Sequence, residues 1–166
     1  MSAVVTLRPY TPRYAGATLR RIAQFWGFHA GLVNAQEQAD SAAEDLALWT
    51  GEDHFLYVIF EDGADAGFLH LVRTGPLVME LADLFVDEER RGRGVATAAI
   101  ALAEQAARRT PGVQAMTVAA APRNTAALRL YRRLGYDSLC LVTLRKEFGP
   151  NPRDKRCEFL GLSFCI

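Results

Sequence analysis

A short run of arginine and glycine, Arg91-Gly92-Arg93-Gly94-Val95-Ala96, has the residue types of an anion-binding site. It follows a stretch that alternates like a strand, Glu80–Val86, and precedes an alanine-rich helical stretch from about Thr97. The start of a helix presents unpaired backbone N–H groups and the positive end of the helix dipole. Two glycines let a ligand approach that backbone, and two arginines add positive charge. The run predicts a site for a phosphorylated ligand, with a flexible surface turn as the plain alternative.

A dinucleotide-binding loop, with the pattern Gly-x-Gly-x-x-Gly, would also lie between a strand and a helix. Gly92 and Gly94 match its first two glycines, but Thr97 occupies the third position, where its side chain would crowd the helix against the strand. An acidic residue that could bind a ribose is also missing at the end of a second strand about 20 residues later. The dinucleotide hypothesis is therefore rejected.

Two motifs together resemble a known family. The pattern Arg91-x-x-Gly94-x-Ala96 after Leu-Phe-Val is similar to the pyrophosphate loop of the GNAT superfamily, the acyl-CoA-dependent N-acyltransferases. About 30 residues later, the run from Asn124 to Tyr136 resembles the second GNAT signature, N-x-x-A-x-x-L-Y-x-x-x-G-[FY]. Two motifs in the family's order and spacing are more specific than either alone.

This resemblance implies that acetyl-CoA is the co-substrate and that no metal is needed. In the family, the loop amides wrap the pyrophosphate of coenzyme A, and its pantetheine arm pairs with strand backbone where two strands part. Asn124 is interpreted as a helix N-cap, a coenzyme contact, or both. The coenzyme-binding residues implied by the resemblance are Leu84, Phe85, Val86, Arg91, Gly92, Arg93, Gly94, Val95, Ala96, Thr97 and Asn124.

Attack on a thioester needs a neutral amine, and an alkylammonium with a pKa near 10.4 is almost fully protonated at pH 7. A carboxylate can take the proton directly or through a water. Glu80 is the candidate base, because it alternates to the same side of its strand as Ala82 and Leu84. Many relatives carry a glutamate at the place of Ala82, so a surface or substrate-anchoring role for Glu80 stays open. The same alternation predicts that Asp83 faces the opposite side in a structural role.

Tyr131 lies in the second motif among apolar helix residues. That position alone favours a core tyrosine whose hydroxyl is satisfied at the edge. The resemblance implies instead that the hydroxyl lies near the sulfur of the coenzyme and acts as general acid toward the departing thiolate. It also implies that a backbone N–H near Phe85 or Val86 polarises the thioester carbonyl.

Periodicity predicts the elements that must position these groups. Strands are predicted over Val4–Pro9, Phe55–Phe60, Ala66–Arg73, Leu77–Val86, Val113–Ala119, Ser138–Phe148 and Arg156–Phe164. Helices are predicted over Arg13–Trp26, Gln36–Trp49, Arg93–Thr110 and Thr125–Leu134, with a break over Gly27–Asn34. The sequence therefore predicts an α/β fold. It has a single mixed, mostly antiparallel sheet of about six or seven strands, with about four helices on its two faces, as in GNAT-like acyl-CoA N-acyltransferases.

Composition excludes several classes of protein. The chain has 166 residues, enough for one domain with a real core. Its 19 basic and 19 acidic residues cancel, which gives no general attraction to nucleic acid or to an anionic membrane. Apolar runs fall short of the roughly 20 residues of a bilayer span, and the N-terminus lacks an export pattern. We therefore expect a single cytoplasmic domain over residues 1–166.

Cysteine and histidine spacing predicts neither disulfides nor a metal site. Cys140, Cys157 and Cys165 are odd in number and widely spaced, so reduced thiols are expected. The three histidines share no metal-ligand spacing, and His70 is interpreted as a packed or edge residue of its strand.

These observations predict an acetyl-CoA-dependent N-acetyltransferase that moves an acetyl group to a primary amine of a small molecule by direct transfer in a ternary complex. A non-catalytic acyl-CoA-binding module, favoured by Ala82, is one alternative, and a protein or peptide N-acetyltransferase is another. The resemblance places the acceptor site near Gly27–Ala39 and a late strand loop, and allows for a homodimer. Glu37, Asp40 and Glu44 mildly favour a cationic acceptor such as a polyamine or aminoglycoside, although such acidic residues are most often just a solvated helix face.

Overall fold

The structure is a computed structural model that describes residues 3–33 and 42–166. It contains two compact units, one formed by Met1–Gly27 with Ala39–Ala119 and the other by Phe28–Gln38 with Ala120–Ile166. The strands are β1 (Val5–Pro9), β2 (His54–Glu61), β3 (Ala64–Arg73), β4 (Val78–Val86), β5 (Ala115–Val118), β6 (Arg156–Phe159) and β7 (Leu162–Cys165). The α-helices are α1 (Ala15–Val33), α2 (Ala42–Trp49), α3 (Val95–Arg109) and α4 (Thr125–Arg133). Short 3₁₀ turns lie at Pro12–Tyr14 and Glu88–Arg90.

The first unit is built on a sheet with the strand order β1-β2-β3-β4-β5. The first four strands are antiparallel, and β5 pairs parallel to β4 after a crossover through α3. The β2–β3 hairpin is tighter than predicted, because Asp62 and Gly63 both have positive φ angles (49° and 84°) and form a two-residue turn. The predicted α/β class with a mixed, mostly antiparallel sheet is confirmed.

Helices bury apolar side chains against the sheet. The aliphatic and aromatic core that α1 and α2 share with it consists of Ile22, Phe25, Leu46, Trp49, Leu56, Phe68 and Phe85. Helix α3 contacts β1 and β4, and its buried residues are Val95, Ala99, Ile100, Ala103 and Ala107. Three of these five are alanines, which let the helix approach the strands closely. The alanine-rich stretch of the sequence is therefore a packing surface.

A β-bulge in β4 changes which side chains share a face. Asp83 pairs with His70 and Glu80 with Val72, so Ala82 is the extra residue of the bulge. His70 and Val72 are two residues apart and share a face of β3, and their partners must share that face too. The predictions that Asp83 faces away from Glu80 and that Leu84 shares the side of Glu80 are therefore wrong, because simple alternation does not count the inserted residue.

Helix α1 extends seven residues further than predicted. It continues through Gly27 to Val33, so the predicted break is wrong over the described residues 27–33. A glycine inside a helix costs only about 1 kcal/mol relative to alanine, and the rest of a long helix can offset this. The start of the predicted second helix, with Glu37 and Asp40, falls in residues 34–41 and lies outside the described residues. The described part of that helix is α2.

The second unit contains α4 and a separate two-stranded sheet. Asn124 caps α4, since its Oδ1 accepts a hydrogen bond from the Ala127 N–H at 3.2 Å, which confirms the predicted N-cap. The predicted strand Ser138–Phe148 is wrong, because this stretch forms no ladder among the described residues. The β6 and β7 strands pair with each other instead, around a turn at Leu160 and Gly161. An alternating pattern predicts a strand only if a partner is available to bond with it.

Candidate active site

The turn between β4 and α3 leaves backbone amides open. Gly92 and Gly94 have φ angles of 74° and 84°, a left-handed conformation that glycine adopts without steric cost. Gly94 is the N-cap of α3, and no side chain of the described residues caps this helix. The first turn of an α-helix has no backbone acceptors for its N–H groups, and here these belong to Val95, Ala96 and Thr97. A Cβ at Gly92 or Gly94 would meet nothing within 4 Å, so the turn is open at both glycines.

The two arginines of this turn differ in their surroundings. The Nε of Arg91 donates to the Val86 carbonyl at 2.8 Å, and its guanidinium lies 5.3 Å from the centroid of the Phe85 ring. Arg91 therefore ties the turn to the end of β4. Arg93 is exposed and adds positive charge beside the open amides.

Arg21, a buried arginine of α1, binds the other end of the turn. Sequence reasoning missed this contact. Arg21 donates to both carboxylate oxygens of Asp87, at 2.8 and 2.6 Å, and to Asp65 at 3.0 Å. Burial alone would lower the pKa of Arg21, but its hydrogen bonds to Asp87 and Asp65 outweigh this and raise it. The sequence feature that could have revealed this contact is the charged residue beside Ile22 in an apolar helical stripe. The hydrogen bonds from Arg21 fix the position at which β4 ends and the turn begins.

One edge of β4 lacks a strand partner just before this turn. The β4–β5 ladder ends at Leu81 and Val118, while β4 continues to Val86. Within the described part of the first unit, no strand pairs with that side of residues 82–86. Leu84, Phe85 and Val86 lie in this segment, where an extended ligand could bind as an added strand. The open edge leads directly to the open amides.

The acetyltransferase (GNAT) family profile matches residues 19–136, more than two thirds of the chain. This chain belongs to the GNAT acetyltransferase family. The family is one of acetyl-transferring enzymes, which confirms the predicted enzyme class. The comparison with curated proteins found no match.

Solved GNAT structures share the fold of this chain at low sequence identity. Aminoglycoside N-acetyltransferase AAC(6')-Iy in complex with CoA is 18% identical, with a TM-score of 0.68 over 90% of this chain and 98% of that one. A putative acetyltransferase, YycN from Bacillus subtilis, is 19% identical, with a TM-score of 0.68 over 88% and 100%. Aminoglycoside 6'-N-acetyltransferase AAC(6')-IG from Acinetobacter haemolyticus is 20% identical, with a TM-score of 0.64 over 87% and 99%. These likenesses show the fold.

The two residues predicted to be catalytic, Glu80 and Tyr131, lie in different units. Glu80 is half-buried on β4 in the first unit. Tyr131 is half-buried on α4 in the second unit, with its ring edge-on to Tyr136 at 5.7 Å between centroids. Their catalytic roles stay predictions.

A chain of three polar side chains crosses the sheet face that carries Glu80. The carboxylate of Asp83 accepts a hydrogen bond from His70 Nδ1 at 2.7 Å, and His70 Nε2 lies 2.8 Å from His54 Nδ1. His70 is 2% exposed, and Trp49 stacks on it with 4.7 Å between centroids. His70 is packed, as predicted, but sequence reasoning missed its partners. Polar residues at Asp83, His70 and His54 in otherwise apolar strands were the available signal, and only the bulged register brings them together.

The pKa of His54 is lowered chiefly by burial and then by His70, while the charges of Asp53 and Asp83 oppose this less strongly. The unfolded chain then binds more protons than the folded one below the ordinary histidine pKa of 6.5. The contribution of His54 to stability is present above pH 6.5 and is lost as the pH falls through the lowered folded value. In urea unfolding at pH 7.5 and 5.5, we expect wild type to lose more stability than His54→Asn, which keeps a donor for His70 but does not titrate. An equal loss of stability in wild type and His54→Asn would contradict this pH dependence of His54.

Replacing Gly94 with alanine should disturb the turn without a clash. A side chain in this left-handed conformation costs about 1 kcal/mol of unfolding free energy. If the turn relaxes to avoid that cost, its amides move, and we expect coenzyme A to bind about tenfold more weakly. Calorimetric titration with coenzyme A measures this, and Gly75→Ala, at an open glycine without a positive φ, is the matched control. Unchanged affinity in Gly94→Ala would remove the turn from the binding site.

Neither a metal-binding cluster nor a membrane-spanning helix is present among the described residues. Among them, no group of three or more His, Cys, Asp and Glu residues is arranged to hold a metal ion. In the same ranges, no helix combines the length and apolarity that a bilayer crossing requires. The three cysteines are unpaired, with Cys140 exposed and Cys157 and Cys165 half-buried.

Proposed function

We propose that the protein is an acetyl-CoA-dependent N-acetyltransferase that acetylates a primary amine of a small molecule by direct transfer in a ternary complex. The observation that carries this proposal is the continuity of the open β4 edge with the uncapped N-terminus of α3. An extended thiol arm and a diphosphate are the two parts of a ligand that such a surface would bind. The family's motifs lie on these same elements.

The chemical groups on this surface match those of coenzyme A. The N–H groups from Gly92 to Thr97 would donate to the pyrophosphate, and Arg93 would add charge attraction. The backbone of Leu84, Phe85 and Val86 would pair with the amides of the pantetheine arm. Asn124 already caps α4, so a coenzyme contact would be a second role. Bound acetyl-CoA supplies the thioester whose acetyl group is transferred.

The chain's own residues would then prepare the acceptor amine. Glu80 would take a proton from the ammonium, directly or through a water, on the face it shares with Asp83. The N–H of Phe85 or Val86 would stabilise the oxyanion, and the Tyr131 hydroxyl would protonate the departing thiolate. Holding the two reactants side by side lowers the activation barrier by several kcal/mol.

Thiol release from acetyl-CoA across a panel of amines tests the proposal. The panel should include an aminoglycoside, since AAC(6')-Iy and AAC(6')-IG are named for that acceptor class, together with a polyamine, arylalkylamines and a lysine peptide. We expect amine-dependent release of one thiol per acetyl group transferred. Binding of coenzyme A without release for any amine would favour the non-catalytic module, and release with the peptide alone would favour a peptide N-acetyltransferase.

Tyr131→Phe tests the general acid. Without the hydroxyl, the thiolate must leave unassisted, so we expect kcat to fall tenfold or more, while the affinity for coenzyme A changes little. Steady-state kinetics and calorimetry measure the two quantities. Tyr136→Phe is the matched control, because the motif accepts phenylalanine at that position. Unchanged turnover in Tyr131→Phe would remove this residue from the mechanism.

A further inference from the structure

The first unit contains a cleft away from the β4 edge. It has a volume of about 740 Å³, within the range of about 300 to 1,000 Å³ typical of small-molecule sites. It lies between the end of β1, helix α2 and the start of β2, and none of the described residues that line it is Asp, Glu, Lys or Arg. Its aromatic residues are Tyr10, Trp49, Phe55 and Tyr57, and His54 also lines it. The described part of the lining is therefore mostly apolar and aromatic.

The hydrogen bonds from His54 through His70 to Asp83 determine which nitrogen of His54 donates and which accepts. A carboxylate only accepts hydrogen bonds, so His70 donates from Nδ1 to Asp83. In the neutral form of an imidazole that donates from Nδ1, Nε2 carries a lone pair, and His54 then donates to it from Nδ1. The remaining nitrogen of His54, Nε2, is thereby an acceptor, and it has no hydrogen-bond partner among the described residues. The lowered pKa of His54 keeps this acceptor available at neutral pH.

His54 and Glu80 lie in one row across the sheet. His54 pairs with Val72 on β3, and Val72 pairs with Glu80 on β4, so the three share a face. Two strand spacings separate the backbones of His54 and Glu80 by about 10 Å. All three residues are half-buried, unlike His70 in the neighbouring row. A ligand of moderate length could therefore contact both ends of the row.

We propose that the acceptor amine lies along this row, with its reacting nitrogen at Glu80 and its apolar body extending to the cleft, and that His54 Nε2, where the row meets the cleft, accepts a hydrogen bond from a neutral donor on that body. This inference rests on the proposed acetyltransferase function and narrows its substrate class. The acceptor is an arylalkylamine, or a similar amine with an apolar body, that carries a distal hydroxyl or N–H group. The described lining is mostly apolar and aromatic, which favours such a body over a polycationic aminoglycoside or polyamine.

Tyramine and phenethylamine test this as a matched pair, since they differ only in the distal hydroxyl. In wild type, we expect tyramine to bind about five- to tenfold more tightly by calorimetry, the range typical of one added hydrogen bond. In His54→Asn, which keeps the donor to His70 but lacks Nε2, the preference should vanish while phenethylamine binding is retained. The ¹⁵N shift of His54 Nε2 should move with tyramine only.

Ala47→Phe provides a second variant. Ala47 is exposed on α2 and lines the cleft, so its replacement should weaken both amines. Leu48→Phe, at the next and also exposed position outside the lining, should bind both amines like wild type. If His54→Asn prefers tyramine over phenethylamine as strongly as wild type does, the inference is wrong. It is also wrong if Ala47→Phe binds both amines like wild type. If the amines bind as expected but no thiol is released, the acetyltransferase proposal fails while the binding site stands.

Discussion

Glu80→Gln is expected to lower kcat/KM for the acceptor amine about 100-fold, the lower end of what a general base contributes. Glutamine keeps the size of the side chain and can still form hydrogen bonds, but it cannot take a proton from the ammonium. The loss should shrink as the pH rises toward the amine's own pKa near 10.4, because more acceptor is then already neutral. Steady-state thiol release over a range of pH measures both effects, and the affinity for coenzyme A should be unchanged.

Asp83→Asn is the natural comparison for Glu80→Gln. The bulge at Ala82 places Asp83 and Glu80 on the same face, so both carboxylates are candidates by position. Asp83, however, already accepts a hydrogen bond from His70, and asparagine can still accept it. We expect Asp83→Asn to lower kcat/KM by less than Glu80→Gln. If Asp83→Asn has the larger effect and its loss disappears at high pH, Asp83 is the base and the assignment of Glu80 is wrong.

Gly67→Ala should have the largest effect on stability. A Cβ at Gly67 would clash with the carbonyl oxygen of Phe85 and lie 3.1 Å from the Cα of Val86. Both contacts are with backbone, which cannot rotate away as a side chain can. The strands β3 and β4 must separate, and we expect the unfolding free energy to fall by about 3 kcal/mol or more. Urea denaturation measures this loss.

Gly27→Ala is the control for this prediction. Gly27 is exposed in α1, and a Cβ there meets nothing within 4 Å. Alanine should therefore stabilise the protein by up to about 1 kcal/mol through helix propensity. Coenzyme A titration of Gly67→Ala under folding conditions adds a second readout, because the strained segment is the one proposed to hold pantetheine. A Gly67→Ala protein as stable as wild type would mean that β3 and β4 do not approach this closely.

Local chemistry in the sequence was sufficient for several features of this chain. Glycines at 92 and 94 predicted a turn before a helix, and the turn there uses left-handed φ angles, which glycine adopts at low cost. Asn124 predicted a helix start through its side-chain acceptor, and its Oδ1 does cap α4. Each of these depends on a few neighbouring residues. The two motifs built on them were enough to indicate the family.

Only the tertiary structure decided which distant residues meet. The bulge at Ala82 moved Asp83 to the face of Glu80 and connected it to His70 and His54, and one inserted residue leaves no mark in an alternating pattern. The stretch Ser138–Phe148 has a strand's pattern but forms no ladder among the described residues, because a strand also needs a partner. Turns and caps follow from short-range sterics and hydrogen bonds, whereas register, strand pairing and the cleft beside His54 depend on contacts between segments far apart in the chain.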